Sequence, residues 1–271
     1  MKHDTLSILC SPATHEPLRL ASQPGPDGTL QETLVGVDSG VQFPIRDGVP
    51  VFVSESALSG LNRRYQGFYN RVARFYDPTL AFLGLLAGGG EARFRQEYLQ
   101  ELEVKEGDRV LEVSVGTGAN LRLLPAGAHL YGVDISWGML TQCQGHLRKW
   151  RLEAELFVGN AEELPFQDDA FDAVLHVGGI NAFNDRAKAM AEMVRVARPG
   201  TKIVIADETA HLMQSMRWVP GIKKLLRDFG DRFSAPTALV PPGVEQVQAR
   251  EIGKRMFYCL TFRKQWNRSV P

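Results

Sequence analysis

The chain has 271 residues, 44% of them hydrophobic and 23% charged, which is enough apolar material for one large α/β domain with a small appendage. Its 31 basic and 31 acidic residues cancel, which disfavours a dedicated nucleic-acid binder, whose domain is usually clearly basic. Cys10, Cys143 and Cys259 lie too far apart for a disulfide framework, no Cys-x-x-Cys occurs, and no apolar run reaches the roughly 18 residues of a membrane span. The first residues lack the apolar core of a signal peptide, so a soluble, cytoplasmic protein is expected.

Residues 1–55 alternate short β-prone runs with turns at Pro24–Gly28 and Asp38-Ser39-Gly40, and read as a small β-rich module. Residues 56–91 switch to helix-favouring sequence, broken by Pro78 and Gly88–Gly90, and read as a helical linker or lid. Residues 92–271 form the main domain. Strands are expected over 109–113, 129–134, 153–160, 171–177 and 201–207. Helices are expected from 119, over 137–150 and over 185–198, the last starting beside Asp185 and stopped by Pro199-Gly200. That alternation predicts an α/β fold with a mostly parallel sheet. Residues 208–245 are an insertion in which Val219, Ile222, Leu225, Leu226 and Phe229 repeat at helical spacing. Core packing is the first reading of that helix, a substrate lid the second and a membrane-surface helix the third. EQVQAREI and RMFYCLTFRK close the chain as an antiparallel pair.

The segment that carries chemistry is VLEVSVGTGANL, residues 110–121, where a strand runs into Gly116-Thr117-Gly118. Glycines allow a sharp turn and close approach of a ligand, and a following helix start offers free N–H groups. Asp134 falls 18 residues after Gly116 at the end of the second strand, where an acid can accept from both ribose hydroxyls. A dinucleotide fingerprint would want a third glycine where Leu121 stands, and a pyrophosphate would not welcome Glu112. S-adenosylmethionine fits better, because its methionine end carries an ammonium.

The blocks VLEVSVGTGANL, YGVDISWGML, GNAEELPFQDDAFDAVL and MVRVARPGTKIVIADE, within 109–207, resemble the class I S-adenosylmethionine-dependent methyltransferases, in particular the ubiquinone/menaquinone-biosynthesis branch. The resemblance implies a Rossmann-like seven-stranded sheet with its last strand antiparallel. It implies that Glu112, Gly116, Thr117 and Gly118 line the methionine end, with Ser114 in place of the family's first glycine. It further implies that Asp134 holds the ribose, that Ile135 and Met139 flank the adenine, and that Asn160, Ala161 and Glu162 meet the adenine edge. In RYQGFYNRVARFYDPTL, Tyr69 and the pair Tyr76-Asp77 match a helix that closes over the cofactor in relatives.

LCSPATHEPL together with SGVQFPIRDGVPVFV resembles a small zinc-ribbon-like module known as an activator of RNA methyltransferases and as a fusion to small-molecule ones. Its four cysteine positions become Ser11, Thr14, Gly36 and Ser39, so no metal is expected and the module should serve to dock or to cover the site. As a cover, it should be removable with cofactor binding kept. For the chemistry, His176 at the end of the fourth strand is the candidate catalytic residue and equally a pocket wall, with His211, Asn181 and Asn184 near it by topology. The function expected is methyl transfer to a small hydrophobic or aromatic acceptor, with peripheral membrane contact compatible. The alternatives are an RNA methyltransferase and a non-catalytic protein that binds S-adenosylmethionine.

Overall fold

The computed structural model describes residues 3–24, 30–53, 58–64, 66–67, 70, 91–215, 217 and 232–266. Five parallel strands form one side of the main sheet, out to its edge: β5 (Arg109–Val113), β6 (His129–Asp134), β7 (Glu155–Val158), β8 (Ala173–Val177) and β9 (Lys202–Glu208). β11 (Phe257–Lys264) pairs antiparallel with β9, and β10 (Val244–Ile252) with β11, giving the order β10-β11-β9-β8-β5-β6-β7. The parallel strands are nearly continuous apolar runs because helices and loops cover both faces. The order reverses at β5, and the crevice at the carboxyl ends of β6, β5 and β8 is where such sheets bind ligands.

Two helices come earlier in the chain, α1 (His3–Leu6) and α2 (Glu91–Leu99), and the later ones have clear local causes. Before α3 (Trp137–Trp150), the Ser136 hydroxyl accepts from Met139 N at 3.2 Å, and Arg151 ends the helix at φ 55°. Before α4 (Arg186–Val196), Asp185 accepts from Lys188 N at 2.9 Å. The helix expected from residue 119 does not form. The run makes one 3₁₀ turn, Leu121–Leu123, because Pro125 pushes Leu124 into an extended backbone with ψ 155°. β9 is followed by a short helix, Ala210–Ser215, while the apolar repeat at 219–229 lies outside the described residues.

The amino-terminal residues build a four-stranded antiparallel meander: β1 (Leu18–Pro24), β2 (Leu30–Gly36), β3 (Gln42–Arg46) and β4 (Val49–Pro50). It does not stand apart. Val51 bridges Val158 in parallel, and Phe52 N donates to the Val158 carbonyl at 2.8 Å, so the meander covers the edge strand β7. Leu9 bridges Phe166, and Cys10 N donates to the Pro165 carbonyl at 3.1 Å. Ile8, Leu9, Leu34 and Phe52 share one core cluster with Phe157 and Phe166. Deleting residues 1–55 is therefore expected to yield insoluble or non-cooperatively melting protein rather than an intact cofactor-binding core. A soluble truncation with a sharp melting transition would overturn this.

Candidate cofactor and active site

The turn after β5 has left-handed backbone at Ser114 (φ 60°), Gly116 (φ 55°) and Gly118 (φ 81°). Serine accepts that region at a cost of about 1–2 kcal/mol, so Ser114 preserves a glycine's backbone shape. A Cβ at Gly118 would meet Cys143 Sγ at 2.7 Å, whereas nothing lies within 4 Å of one at Gly116. Gly118 thus serves packing against α3, and Gly116 faces open space.

Asp134 fastens the turn from the end of β6. Its Oδ2 accepts from Gly116 N at 2.9 Å and its Oδ1 from Ser136 N at 2.8 Å. Each oxygen keeps a second lone pair for a ligand hydroxyl. Burial pushes the Asp134 pKa up to about 6, against the pull of those backbone N–H groups. On the adjacent strand Glu112 is buried, and its Oε1 accepts from Asn120 Nδ2 at 2.5 Å. Asn120 Oδ1 accepts in turn from Arg95 Nη1 at 2.6 Å and the Tyr98 hydroxyl at 2.8 Å. Glu112 Oε2 has no hydrogen-bond partner among the described residues. Burial pushes the Glu112 pKa up to about 8, opposed by the Asn120 hydrogen bond and the Arg95 charge. Two carboxyls beside an open glycine turn suit a cationic, hydroxyl-bearing ligand and repel a pyrophosphate. The ammonium, sulfonium and ribose of S-adenosylmethionine match that set.

A pH dependence follows. In the free protein Glu112 is protonated below about pH 8, and an arriving ammonium favours its ionised form. Affinity for S-adenosylmethionine is expected to rise between about pH 6 and pH 8, with proton release at pH 7 seen by calorimetry in buffers of different ionisation heat. A flat profile without proton release would remove Glu112 from the ligand's methionine end. The free protein responds in the opposite sense. A carboxyl raised from 4.5 to about 8 contributes stability that is present below 4.5 and lost as pH rises through about 8.

The side where Asn160, Ala161 and Glu162 stand, expected to meet adenine, is covered by a segment that is helical at 60–64, 66–67 and 70. Asn62 Nδ2 donates to Glu162 Oε1 at 2.9 Å and to Asn160 Oδ1 at 3.5 Å. Gln66 Nε2 donates to the Ile135 carbonyl at 3.1 Å, and Asn70 Oδ1 accepts from Ser136 Oγ at 2.7 Å and Gly138 N at 2.9 Å. These three residues, four apart, fasten the segment over the positions expected to meet adenosine. Sequence reasoning singled out tyrosines here and missed the polar stripe, whose signal was its period of four. Tyr69, Tyr76 and Asp77 lie outside the described residues. Met139 and Ala161 are buried, and the Thr117 carbonyl accepts from His146 Nδ1 at 3.1 Å.

A second polar cluster closes the carboxyl ends of β8 and β9. His176 is fully buried, its Nδ1 donates to the Val113 carbonyl at 3.0 Å, and its ring centre lies 5.2 Å from that of Phe183. Burial pushes its pKa down, so the ring is neutral. Fully buried Asp207 accepts from Asn181 Nδ2 at 3.2 Å and from the backbone N–H groups of Gly179, Asn181 and Glu208. Asn184 N donates to Glu162 Oε1 at 2.8 Å, which ties this cluster to the segment around Asn160–Glu162, while His211 is exposed. A groove of about 920 Å³ lined by Gly48, Gln144, Arg148 and Glu155 opens elsewhere, near the starts of β6 and β7, away from all these groups.

In the amino-terminal meander, Thr14, Gly36 and Ser39 surround the carboxylate of Glu16, and Ser11 meets its main chain. The carboxylate accepts from Thr14 Oγ1 at 3.0 Å, Asp38 N at 2.6 Å and Ser39 N at 2.9 Å, and also from the Ser39 hydroxyl. A Cβ at Gly36 would meet Glu16 Oε1 at 2.7 Å, and Ser11 N donates to the Glu16 carbonyl at 3.0 Å. Among the described residues no group of three His, Cys, Asp or Glu could hold a metal ion. Elemental analysis of the purified protein is expected to find no stoichiometric zinc; one zinc per chain would overturn the assignment of these four positions.

The chain is similar to known methyltransferases. Residues 111–205 match a methyltransferase-domain family. The chain is 36% identical over 156 residues to a demethylmenaquinone methyltransferase of Mycobacterium marinum, covering 57% of this chain and 64% of that protein. It is 29% identical over 211 residues to a ubiquinone/menaquinone biosynthesis C-methyltransferase of Geobacter sulfurreducens, covering 71% of this chain and 80% of that protein. The match thus spans just under two thirds of the length of the first of these relatives. Among solved structures, a Haemonchus contortus phosphoethanolamine N-methyltransferase bound to S-adenosyl-L-methionine superposes with a TM-score of 0.57 at 16% identity, over 78% of this chain and 61% of that one. A complex of the Haloferax volcanii Trm112 methyltransferase activator with a methyltransferase gives 0.54 at 17% identity, over 73% and 98%. At such identities the likeness speaks for the fold alone.

Proposed function

We propose, on the premise that the core of this chain is a class I S-adenosylmethionine-dependent methyltransferase domain akin to the ubiquinone/menaquinone branch, that the protein methylates a small, apolar, aromatic acceptor. The observation that carries this reading is the open Gly116 turn flanked by Asp134 and by Glu112 with its bare Oε2. When bound, S-adenosylmethionine supplies an electrophilic methyl group on a sulfonium. Everything else falls to this chain's own residues. Asp134 holds the ribose, and Glu112 with the backbone of Ser114, Gly116, Thr117 and Gly118 holds the methionine end. Ile135 and Met139 flank the adenine, and Asn160, Ala161 and Glu162 meet its edge. His176 walls the crevice where the acceptor meets the methyl group. Holding the reacting atoms in line can supply roughly 7–11 kcal/mol of the barrier.

The relatives' names speak of demethylmenaquinone and of ubiquinone and menaquinone, which supports a quinone-type ring as the acceptor class. In this reading residues 1–55 are a metal-free β module, 56–91 a cover and 92–271 the catalytic domain. None of the described helices is long and apolar enough to cross a membrane. The test incubates the full chain with methyl-labelled S-adenosylmethionine and anaerobic 1,4-dihydroxynaphthalene, alongside transfer RNA and ribosomal RNA. Label in the naphthalene is the expected result. Label in RNA alone would overturn the acceptor class, and label in neither would overturn the choice of ring.

A further inference from the structure

The cluster at the carboxyl ends of β8 and β9 holds polar atoms that the fold leaves unsatisfied. Among the described residues, His176 Nε2, Asn181 Oδ1 and Tyr258 OH are buried and have no hydrogen-bond partner. All three residues gather around Asp207. Asn181 donates to it, Tyr258 stands opposite it in the β9–β11 register, and its charge reaches His176. A buried polar atom without a partner is costly, and three in one cluster point to a ligand.

Their other contacts fix what two of these atoms can do. His176 Nδ1 faces the Val113 carbonyl, which can only accept, so the proton sits on Nδ1 and Nε2 is a bare acceptor. Asn181 turns Nδ2 to the Asp207 carboxylate, so its remaining atom is the carbonyl Oδ1, also an acceptor only. The Asn181 main chain is pinned as well: its N–H donates to Asp207, and its carbonyl accepts from Arg232 Nη1 at 3.0 Å. Asn181 is 9% exposed. Beside it Gly178 (φ 74°) and Gly179 (φ 94°) have nothing within 4 Å of a Cβ position, so a flat ligand can lie against the backbone there.

Resting on the reading above, we propose that His176 Nε2 and Asn181 Oδ1 form the polar end of the acceptor subsite and select an acceptor that carries an aromatic hydroxyl. A ligand offering only carbonyl or ether oxygens would set lone pairs against lone pairs. A hydroxyl that donates into these acceptors also enriches its ring in electron density, which a carbon nucleophile needs. Asp207 is the positioning residue: it holds the Asn181 amide so that Oδ1 is presented.

Calorimetry tests this with the full chain loaded with S-adenosylhomocysteine, titrated anaerobically with 1,4-dihydroxynaphthalene and with 1,4-dimethoxynaphthalene. The wild type is expected to prefer the dihydroxy compound by about tenfold or more, the worth of one well-made hydrogen bond. Asn181→Leu is expected to erase that preference while S-adenosylhomocysteine affinity holds, with a lower melting temperature because buried Asp207 loses the Nδ2 donor. Asn181→Asp combined with Asp207→Asn reverses the amide–carboxylate pair, still presents an acceptor oxygen, and is expected to restore the preference. Equal wild-type affinity for the two ligands would overturn the inference and leave the small-acceptor reading standing, and it needs no variant to fold. Binding of neither would overturn both. An Asn181→Leu protein that keeps the preference would overturn the subsite.

Discussion

Asp134→Ala is expected to weaken binding of S-adenosylhomocysteine by on the order of 100-fold, the largest effect of any single change at the cofactor site. Two losses combine. Hydrogen bonds to a charged acceptor are worth about 1.5–3 kcal/mol each, and the ribose would lose its acceptor. The same carboxylate holds Gly116 N at 2.9 Å and Ser136 N at 2.8 Å, so the glycine turn loses its fastening to the end of β6. Asp134→Asn keeps one acceptor oxygen and should fall between alanine and wild type. Calorimetric titration of the three proteins reads the order directly. Equal affinity across them would place the ribose somewhere other than at Asp134.

Glu16→Ala is expected to lower the melting temperature by several degrees and to raise amide exchange through residues 30–46. Four donors converge on this one carboxylate, from Thr14, Asp38 and Ser39, and alanine leaves them without their acceptor. The hydrogen bonds from Ser39 hold its pKa down from 4.5 to about 2. A carboxyl lowered on folding contributes stability that is present above 4.5 and lost as pH falls through about 2. The melting-temperature gap between wild type and Glu16→Gln should therefore be constant near neutrality and close between pH 4.5 and pH 2. A gap that does not change over that window would mean the carboxylate charge is not what organises the meander.

The parts of the fold that could be read from the sequence are those that depend on local pattern. Alternation of apolar strands and capped helices fixes the parallel sheet, and the 18-residue step from Gly116 to Asp134 places the acid beside the turn. Contacts made across long separations were not legible. The stripe Asn62, Gln66 and Asn70 looks like any solvated helix face until its partners Glu162, Ile135 and Ser136 arrive in space. Glu16 passes for a surface acid until Asp38 and Ser39 fold back onto it from β2's far end. The run from residue 119 has helix-forming leucines, yet Pro125 decides its length. For His176 the strand-end position was legible, but not the Val113 contact that fixes its tautomer.

The seal over β7 also sets an order of events during synthesis. Glu16 and its donors lie within residues 14–39, so the meander's own bonds can close as soon as that stretch leaves the ribosome. Val51 and Phe52 must then wait for Val158, and Leu9 for Phe166, more than 100 residues later. At about 5–20 residues per second those intervals span roughly 5–30 s, during which Ile8, Leu9 and Phe52 stay uncovered. The nascent chain is thus a ready client for a ribosome-bound chaperone until β7 and Phe166 emerge. The Glu16 hub keeps the waiting half already shaped to receive them.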